Sequence, residues 1–188
     1  MGQLISLQPL YILSGAREIG KTTFLKTLLE QAALLKLDAA GVISPAFFSA
    51  GEKKGIDLLE VRSGITKRLA NLRESETCGI QTERWAFSSE VLDWGNQVLG
   101  NSCPCDLLIV DELGPIELER GQGWQNGIRA LSSGNYQTAV VVIRPELVEK
   151  AFQIWPNARL IQIIQKNHRN QHNQIERILS SIKPTPKL

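Results

Sequence analysis

The chain has 188 residues, 43% of them hydrophobic, which is enough for one sizeable domain with a real core. Lys and Arg total 21 against 19 Asp and Glu, a net charge of +2, and no basic run exceeds Lys53-Lys54 or Lys67-Arg68, which argues against a specific nucleic-acid partner. No apolar run reaches the length of a membrane span, residues 1–9 lack the charged start of a signal peptide, and three cysteines (Cys78, Cys103 and Cys105) suit a reducing compartment, so a cytoplasmic protein away from membranes is expected.

Pro9 closes a short lead-in, and Leu10-Tyr11-Ile12-Leu13 is the apolar run of a buried parallel strand. Directly after it, Gly15-Ala16-Arg17-Glu18-Ile19-Gly20-Lys21-Thr22 fits the phosphate-binding pattern G-x-x-x-x-G-K-[ST]. Gly15 and Gly20 let the backbone turn so that successive N–H groups face a β-phosphate. Lys21 supplies a point charge for the β- and γ-phosphates, and the Thr22 hydroxyl can ligate Mg²⁺. Phe24, Leu25, Leu28, Leu29, Ala32 and Leu35 then recur at helical spacing and predict a helix to about Leu37. Strand, glycine loop and helix together aim a helix N-terminus at a phosphate, so Gly15 to Thr23 is expected to bind a nucleotide.

Ala40 to Ser44 reads as a second strand, stopped at Ser44-Pro45. Phe47-Phe48, the turn-like Gly51 to Gly55, and Ile56 to Val61 predict a hairpin, followed by a mostly polar segment from Ile65 to Glu76 and a strand around Arg84 to Phe87. Residues 45–87 are thus expected to form a β-rich insertion at the edge of the main sheet. Ser88 or Ser89 is a candidate N-cap for a helix that Gly100-Asn101 ends. Cys103-Pro104-Cys105 lacks the second ligand pair that zinc needs, because His168 and His172 are the only histidines.

Asp106 to Val110 is another apolar strand and runs straight into Asp111-Glu112. An acid at that end faces the crevice where ligands sit in parallel sheets. Asp111 is placed to hold Mg²⁺, and Glu112 to orient and deprotonate an attacking water; capping a strand in solvent is the blander reading of the pair. Asp111-Glu112-Leu113-Gly114 also satisfies the D-x-x-G of GTP-binding switches, but the chain holds no N-K-x-D to read guanine. Farther on, 124–133 predicts a short helix, Ala139 to Ile143 a strand, Pro145 to Phe152 a helix, Leu160 to Ile164 the last core strand, and Asn173 to Ile182 the last helix, before a frayed tail at 183–188. Strands separated by helices mean an α/β parallel sheet. Arg144 emerges at the same sheet edge as the acids, either to neutralise a γ-phosphate or as a surface arginine before Pro145. Glu117 either positions the acid loop or begins a helix, and Arg120 is a candidate arginine finger.

Gly15 to Thr23, the block Val110-Asp111-Glu112-Leu113-Gly114-Pro115-Ile116-Glu117-Leu118, and Asn167-His168-Arg169 together resemble the small cancer-related nucleoside-triphosphatase family, also widespread in thermophilic microbes. The resemblance covers roughly residues 10–180, with D-E-x-G-P-x-E-L its most distinctive signature and the hairpin Gly51 to Leu69 similar to the family's inserted strands. It implies a three-layer α/β P-loop NTPase fold whose mostly parallel sheet is of the additional-strand, catalytic-glutamate type; with no internal repeat, one domain over residues 1–188 is expected. It also implies slow Mg²⁺-dependent hydrolysis of ATP, GTP and other nucleoside triphosphates.

In that sheet order the last strand lies beside the first, which brings Arg169 toward the base as a stacking residue. The expected catalytic set is Glu112, Lys21 and Arg144; Thr22 and Asp111 are expected to hold the metal, and Gly15, Ala16, Arg17, Glu18, Ile19, Gly20, Lys21, Thr22 and Thr23 to cradle the phosphates. The loop departs from the family, which usually has small residues and Pro where this chain has Ala16-Arg17-Glu18-Ile19, so Arg17 could add a charge contact or occlude the site. At the other end His168-Arg169-Asn170 replaces the usual Asn-Arg-acid. A monomer is the favoured assembly. A small-molecule kinase, with residues 45–87 as acceptor pocket, and a nucleotide-gated adaptor remain the competing readings.

Overall fold

The computed structural model describes residues 8–73, 84–164 and 168–183, the side chains of His168 and Arg169 excepted. Cys78, nearly all of the lead-in and residues 184–188 of the expected frayed tail lie outside the described residues. Nine strands form one sheet among the described residues: β1 (Leu10–Gly15), β2 (Ala39–Ile43), β3 (Ala46–Ser49), β4 (Glu52–Glu60), β5 (Thr66–Leu72), β6 (Trp85–Phe87), β7 (Cys105–Leu113), β8 (Tyr136–Ile143) and β9 (Arg159–Ile163). The helices are α1 (Lys21–Leu34), α2 (Ser89–Gly100), α3 (Pro115–Leu118), α4 (Gln125–Ser133), α5 (Val148–Ile154, entered through a 3₁₀ turn at Pro145–Leu147) and α6 (His168–Leu179).

The strand order is β6-β5-β4-β2-β7-β8-β1-β9, with β3 also paired to β4, at Glu52–Ile56, ahead of the residues that meet β2. Neighbours from β2 through β9 pair in parallel, whereas β3, β4, β5 and β6 pair antiparallel. One strand, β8, therefore stands between the loop strand β1 and the acid strand β7, and β9 flanks β1 on the other side. Only Leu59 and Glu60 of β4 pair with β2, at Ile43 and Val42, so most of the inserted strands project past the C-terminal edge of the parallel sheet.

The central strands are apolar on both faces because both faces are covered. Tyr11, Leu13, Ile109 and Val142 pack with Phe24 and Leu28 of α1 and Ile175 and Ile178 of α6. Ile12, Val110 and Val141 pack on the opposite face with Leu99 of α2, Leu131 of α4 and Ala151 of α5. Truncating a fully buried core residue such as Leu28 to Ala should cost about 2–5 kcal/mol.

Three expectations need correction. The helix after the loop stops at Leu34 rather than near Leu37: Lys36 takes φ 56°, Leu37 N–H turns back to Ala32 O at 3.0 Å, and Leu35 is left 57% exposed. The polar segment beginning at Ile65 contains β5, whose Leu69 and Ala70 are buried while Thr66 and Asn71 face out. The last helix starts at His168, five residues before Asn173, because its first turns carry polar residues and give no apolar periodicity.

Candidate nucleotide and metal site

The loop is held open by close approach rather than by side chains. A Cβ at Gly15 would lie 2.6 Å from Ile163 O, so only glycine lets β1 end against β9 there. The chain then turns, with Glu18 at φ 60°, and enters α1 through Gly20 at φ 109°, where Phe24 N–H reaches Gly20 O at 2.9 Å. No acidic residue lies in the first turn of α1, which leaves the positive end of its dipole for an anion. Lys21 Nζ folds back on its own loop and donates to Gly15 O (2.7 Å) and Ala16 O (2.8 Å). Burial lowers the Lys21 pKa, and the charges of Glu112 and Asp111 work against that lowering.

The acid strand meets the loop at one contact. Thr22 Oγ1 donates to Asp111 Oδ2 at 3.2 Å, across 89 positions of sequence. Asp111 is 3% exposed and also accepts Ser44 N–H at 3.1 Å, while its backbone carbonyl accepts the Ser44 hydroxyl at 2.6 Å. Burial pushes the Asp111 carboxyl up to about 6; the Ser44 N–H opposes this, and the Glu112 charge adds to it. Ser44 can reach because Gly41 lets β2 press on β7: a Cβ there would run into Ile109 O. A buried carboxylate beside a hydroxyl is a pair of hard oxygen donors, and no basic side chain forms an ion pair with that carboxylate among the described residues, so the residues present fit Mg²⁺.

Glu112 is half-buried, and its Oε1 accepts Arg144 Nε at 2.5 Å. Burial works against the Arg144 charge, but the Glu112 hydrogen bond and the fields of Glu112, Glu146 and Glu117 hold its pKa above the ordinary value. Glu117 both belongs to a helix and braces the acid loop: its carboxylate accepts Gly114 N–H at 2.9 Å and Trp124 N–H at 3.4 Å. Burial raises the Glu117 pKa, with the Gly114 N–H opposing.

The structure thus brings Gly15, Gly20, Lys21, Thr22, Asp111, Glu112 and Arg144 to the C-terminal edge of neighbouring strands. Ala16, Arg17, Glu18 and Thr23 are exposed, Ile19 is half-buried against Gly15, and Arg120 is exposed beyond α3. The side chain of Arg169 lies outside the described residues; its backbone is in the first turn of α6 rather than in a loop. Sequence reasoning missed Ser44, whose only signal was a hydroxyl at the end of a strand. It also missed a cleft of about 310 Å³ beside Ile163, lined by Phe24, Gln162, Asn170, Gln171 and Gln174.

Comparison with known proteins agrees with this layout. A human cancer-related nucleoside triphosphatase solved in solution superposes with TM-score 0.67 at 17% identity, covering 96% of this chain and 100% of that one. THEP1 of the hyperthermophile Aquifex aeolicus superposes with TM-score 0.64 at 19% identity, covering 93% of this chain and 99% of that one. These likenesses establish the three-layer P-loop NTPase fold. In sequence, nucleoside-triphosphatase THEP1 of Methanosarcina barkeri (strain Fusaro / DSM 804) is 27% identical over 108 residues. That stretch spans 56% of this chain and 60% of the relative's length. The profile of a family described as NTPase matches residues 10–179, nearly the whole sequence, and the chain belongs to that family.

Proposed function

We propose that this protein is a Mg²⁺-dependent nucleoside triphosphatase that cleaves the β–γ phosphoanhydride bond. The observation that carries the reading is the Thr22–Asp111 contact, which joins the phosphate loop to the acid strand with Glu112 next along the chain. Thr22 and Asp111 would hold Mg²⁺, which when bound supplies positive charge to the β- and γ-phosphate oxygens. Lys21 exchanges its own loop carbonyls for those oxygens, and the N-terminus of α1 adds its dipole. Water attacks the γ-phosphorus, the bond to the bridging β–γ oxygen breaks, and Glu112 takes the proton of the attacking water. Arg144 orients Glu112 and offers its remaining N–H groups to the charge that develops on the γ-phosphoryl group.

Base selectivity is low in this reading. Gln162, Asn170, Gln171 and Gln174 present both donors and acceptors to the cleft beside the loop, and carboxamides that can turn over suit any base edge. Arg169 is the residue assigned to stacking on the base. Residues 1–188 act as one monomeric domain in the cytoplasm, with 45–87 as an insertion. The test is phosphate release from purified protein with MgATP, then MgGTP, MgCTP and MgUTP, and no acceptor. Stoichiometric phosphate and nucleoside diphosphate from each supports hydrolysis. No phosphate release, with the γ-phosphoryl group transferred to a hydroxyl acceptor once one is added, supports a kinase instead.

A further inference from the structure

We propose that Cys103 and Cys105 form a reversible thiol-oxidation site, in which Cys103 meets the oxidant and Cys105 closes a disulfide with it. The site is separate from the nucleotide site, since Cys105 opens β7 at one edge of the sheet and Asp111 lies near the other end of the same strand. Both thiols are free. Cys103 is half-buried and lines an open cleft of about 260 Å³ with Asn126, Arg129 and Ser133, whereas Cys105 is buried behind it. The two sulfurs lie within hydrogen-bonding reach of each other, and Ser133 reaches Cys103 as well. Arg62 fastens the segment: it donates to Asn101 O (3.3 Å), Ser102 O (3.1 Å), Pro104 O (3.1 Å) and the Asp38 carboxylate.

The pair is unequal in the way such a site needs. The Cys105 hydrogen bond, with help from Ser133 and Arg62 and against burial, lowers the Cys103 thiol to about 7. Cys105 is pushed up by its hydrogen bond to Cys103, by burial and by the Cys103 charge, with Asp38 adding to that and Arg62 opposing it. With hydrogen peroxide, the Cys103 thiolate attacks a peroxide oxygen, the O–O bond breaks and hydroxide leaves, giving a neutral sulfenic acid. That step removes the negative charge that held the proton on Cys105. The Cys105 sulfur then attacks the Cys103 sulfur, the hydroxyl leaves with the Cys105 proton as water, and the S–S bond forms. Two electrons have passed from the two thiols to the peroxide, and a dithiol reductant returns them.

The test uses the full chain, with Cys78→Ser so that the third cysteine takes no part, treated with hydrogen peroxide and read by intact mass and peptide mapping. The expected product has lost two hydrogens, links Cys103 to Cys105 within one molecule, and returns to the dithiol with dithiothreitol. In Cys105→Ser, Cys103 should stop at the sulfenic acid and be trapped by dimedone. In the reduced protein Cys103 should react with iodoacetamide about tenfold faster than Cys105. Peptide mapping of the wild-type chain gives the same answer should a variant fail to fold. The proposal is overturned if both thiols survive peroxide that oxidises free cysteine, or if either bridges to Cys78 or to another molecule.

Discussion

Arg144 Nε donates to Glu112 Oε1 at 2.5 Å, so the residue just past β8 fixes the carboxylate at the end of β7. Both side chains are about a third exposed (32% and 30%), where an ion pair adds only about 0–1 kcal/mol to stability. Position, then, is what the pair supplies. Arg144→Ala should lower the melting temperature little, yet cut kcat for MgATP by roughly 10²–10³-fold, in line with the loss of a preorganised donor. Thermal melts and phosphate release on the same preparation check both halves, and an unchanged kcat would remove Arg144 from the mechanism.

Lys21 Nζ already sits across its own loop carbonyls at 2.7 and 2.8 Å, poised over the turn where phosphates would replace them. Lys21→Ala should weaken triphosphate binding and nearly abolish turnover. At a ligand concentration of 100 Kd the wild-type chain gains about 2.7 kcal/mol from binding. Under those same conditions the melting shift of the variant should shrink toward zero. An equal shift in both proteins would mean that the loop binds phosphate without the lysine.

The parts of the site legible in the sequence were those whose chemistry is local. Gly15 to Thr22 is a contiguous pattern, and Asp111-Glu112 ends an unbroken apolar run, so each could be read without knowing its neighbours. Ser44 could not, because its role depends on Gly41 letting β2 approach β7, and on a partner 67 positions away. The strand β5 was hidden for a related reason. One of its charged residues is taken up by the sheet: Arg68 pairs with Asp57 and lies 3.6 Å over the Phe47 ring. The start of α6 was hidden by composition, since the first buried side chain described in that helix is Ile175.

Glu117 gives a pH signature. Burial raises its pKa above the ordinary value of 4.5, so the folded chain keeps a proton that the unfolded chain has already lost. Stability therefore falls as pH rises from near the unfolded value up through the folded one. Glu117→Gln removes this titration while keeping an acceptor for Gly114 N–H. The melting temperature of the wild-type chain relative to the variant should decline as pH is raised from about 4.5 to neutral. A difference that stays flat across that range would show that the charge is not paid for by the fold.

Asp111 and Ser44 should behave as a metal ligand and its brace. Asp111→Asn weakens the metal site, so its loss of kcat should ease partly as Mg²⁺ is raised. Ser44→Ala removes the 2.6 Å bond to the Asp111 carbonyl and should shift the Mg²⁺ requirement the same way by a smaller amount. Phosphate release across a Mg²⁺ series reads both. A Ser44→Ala curve lying on the wild-type one would show that the Ser44 hydroxyl does not position Asp111.

The most direct test of the central claim, that Glu112 is the base for an attacking water, is Glu112→Gln assayed for phosphate release and nucleotide affinity across the same Mg²⁺ series. Glutamine keeps the length and can hold a water, but it cannot take the proton. General-base catalysis is typically worth about 10²–10⁴-fold, so kcat should fall by that much, and added Mg²⁺ should not restore it. Affinity should hardly change, because the loop and Lys21 supply it. Hydrolysis of MgATP by Glu112→Gln within about threefold of the wild-type rate, far inside the range of general-base effects, would contradict the account.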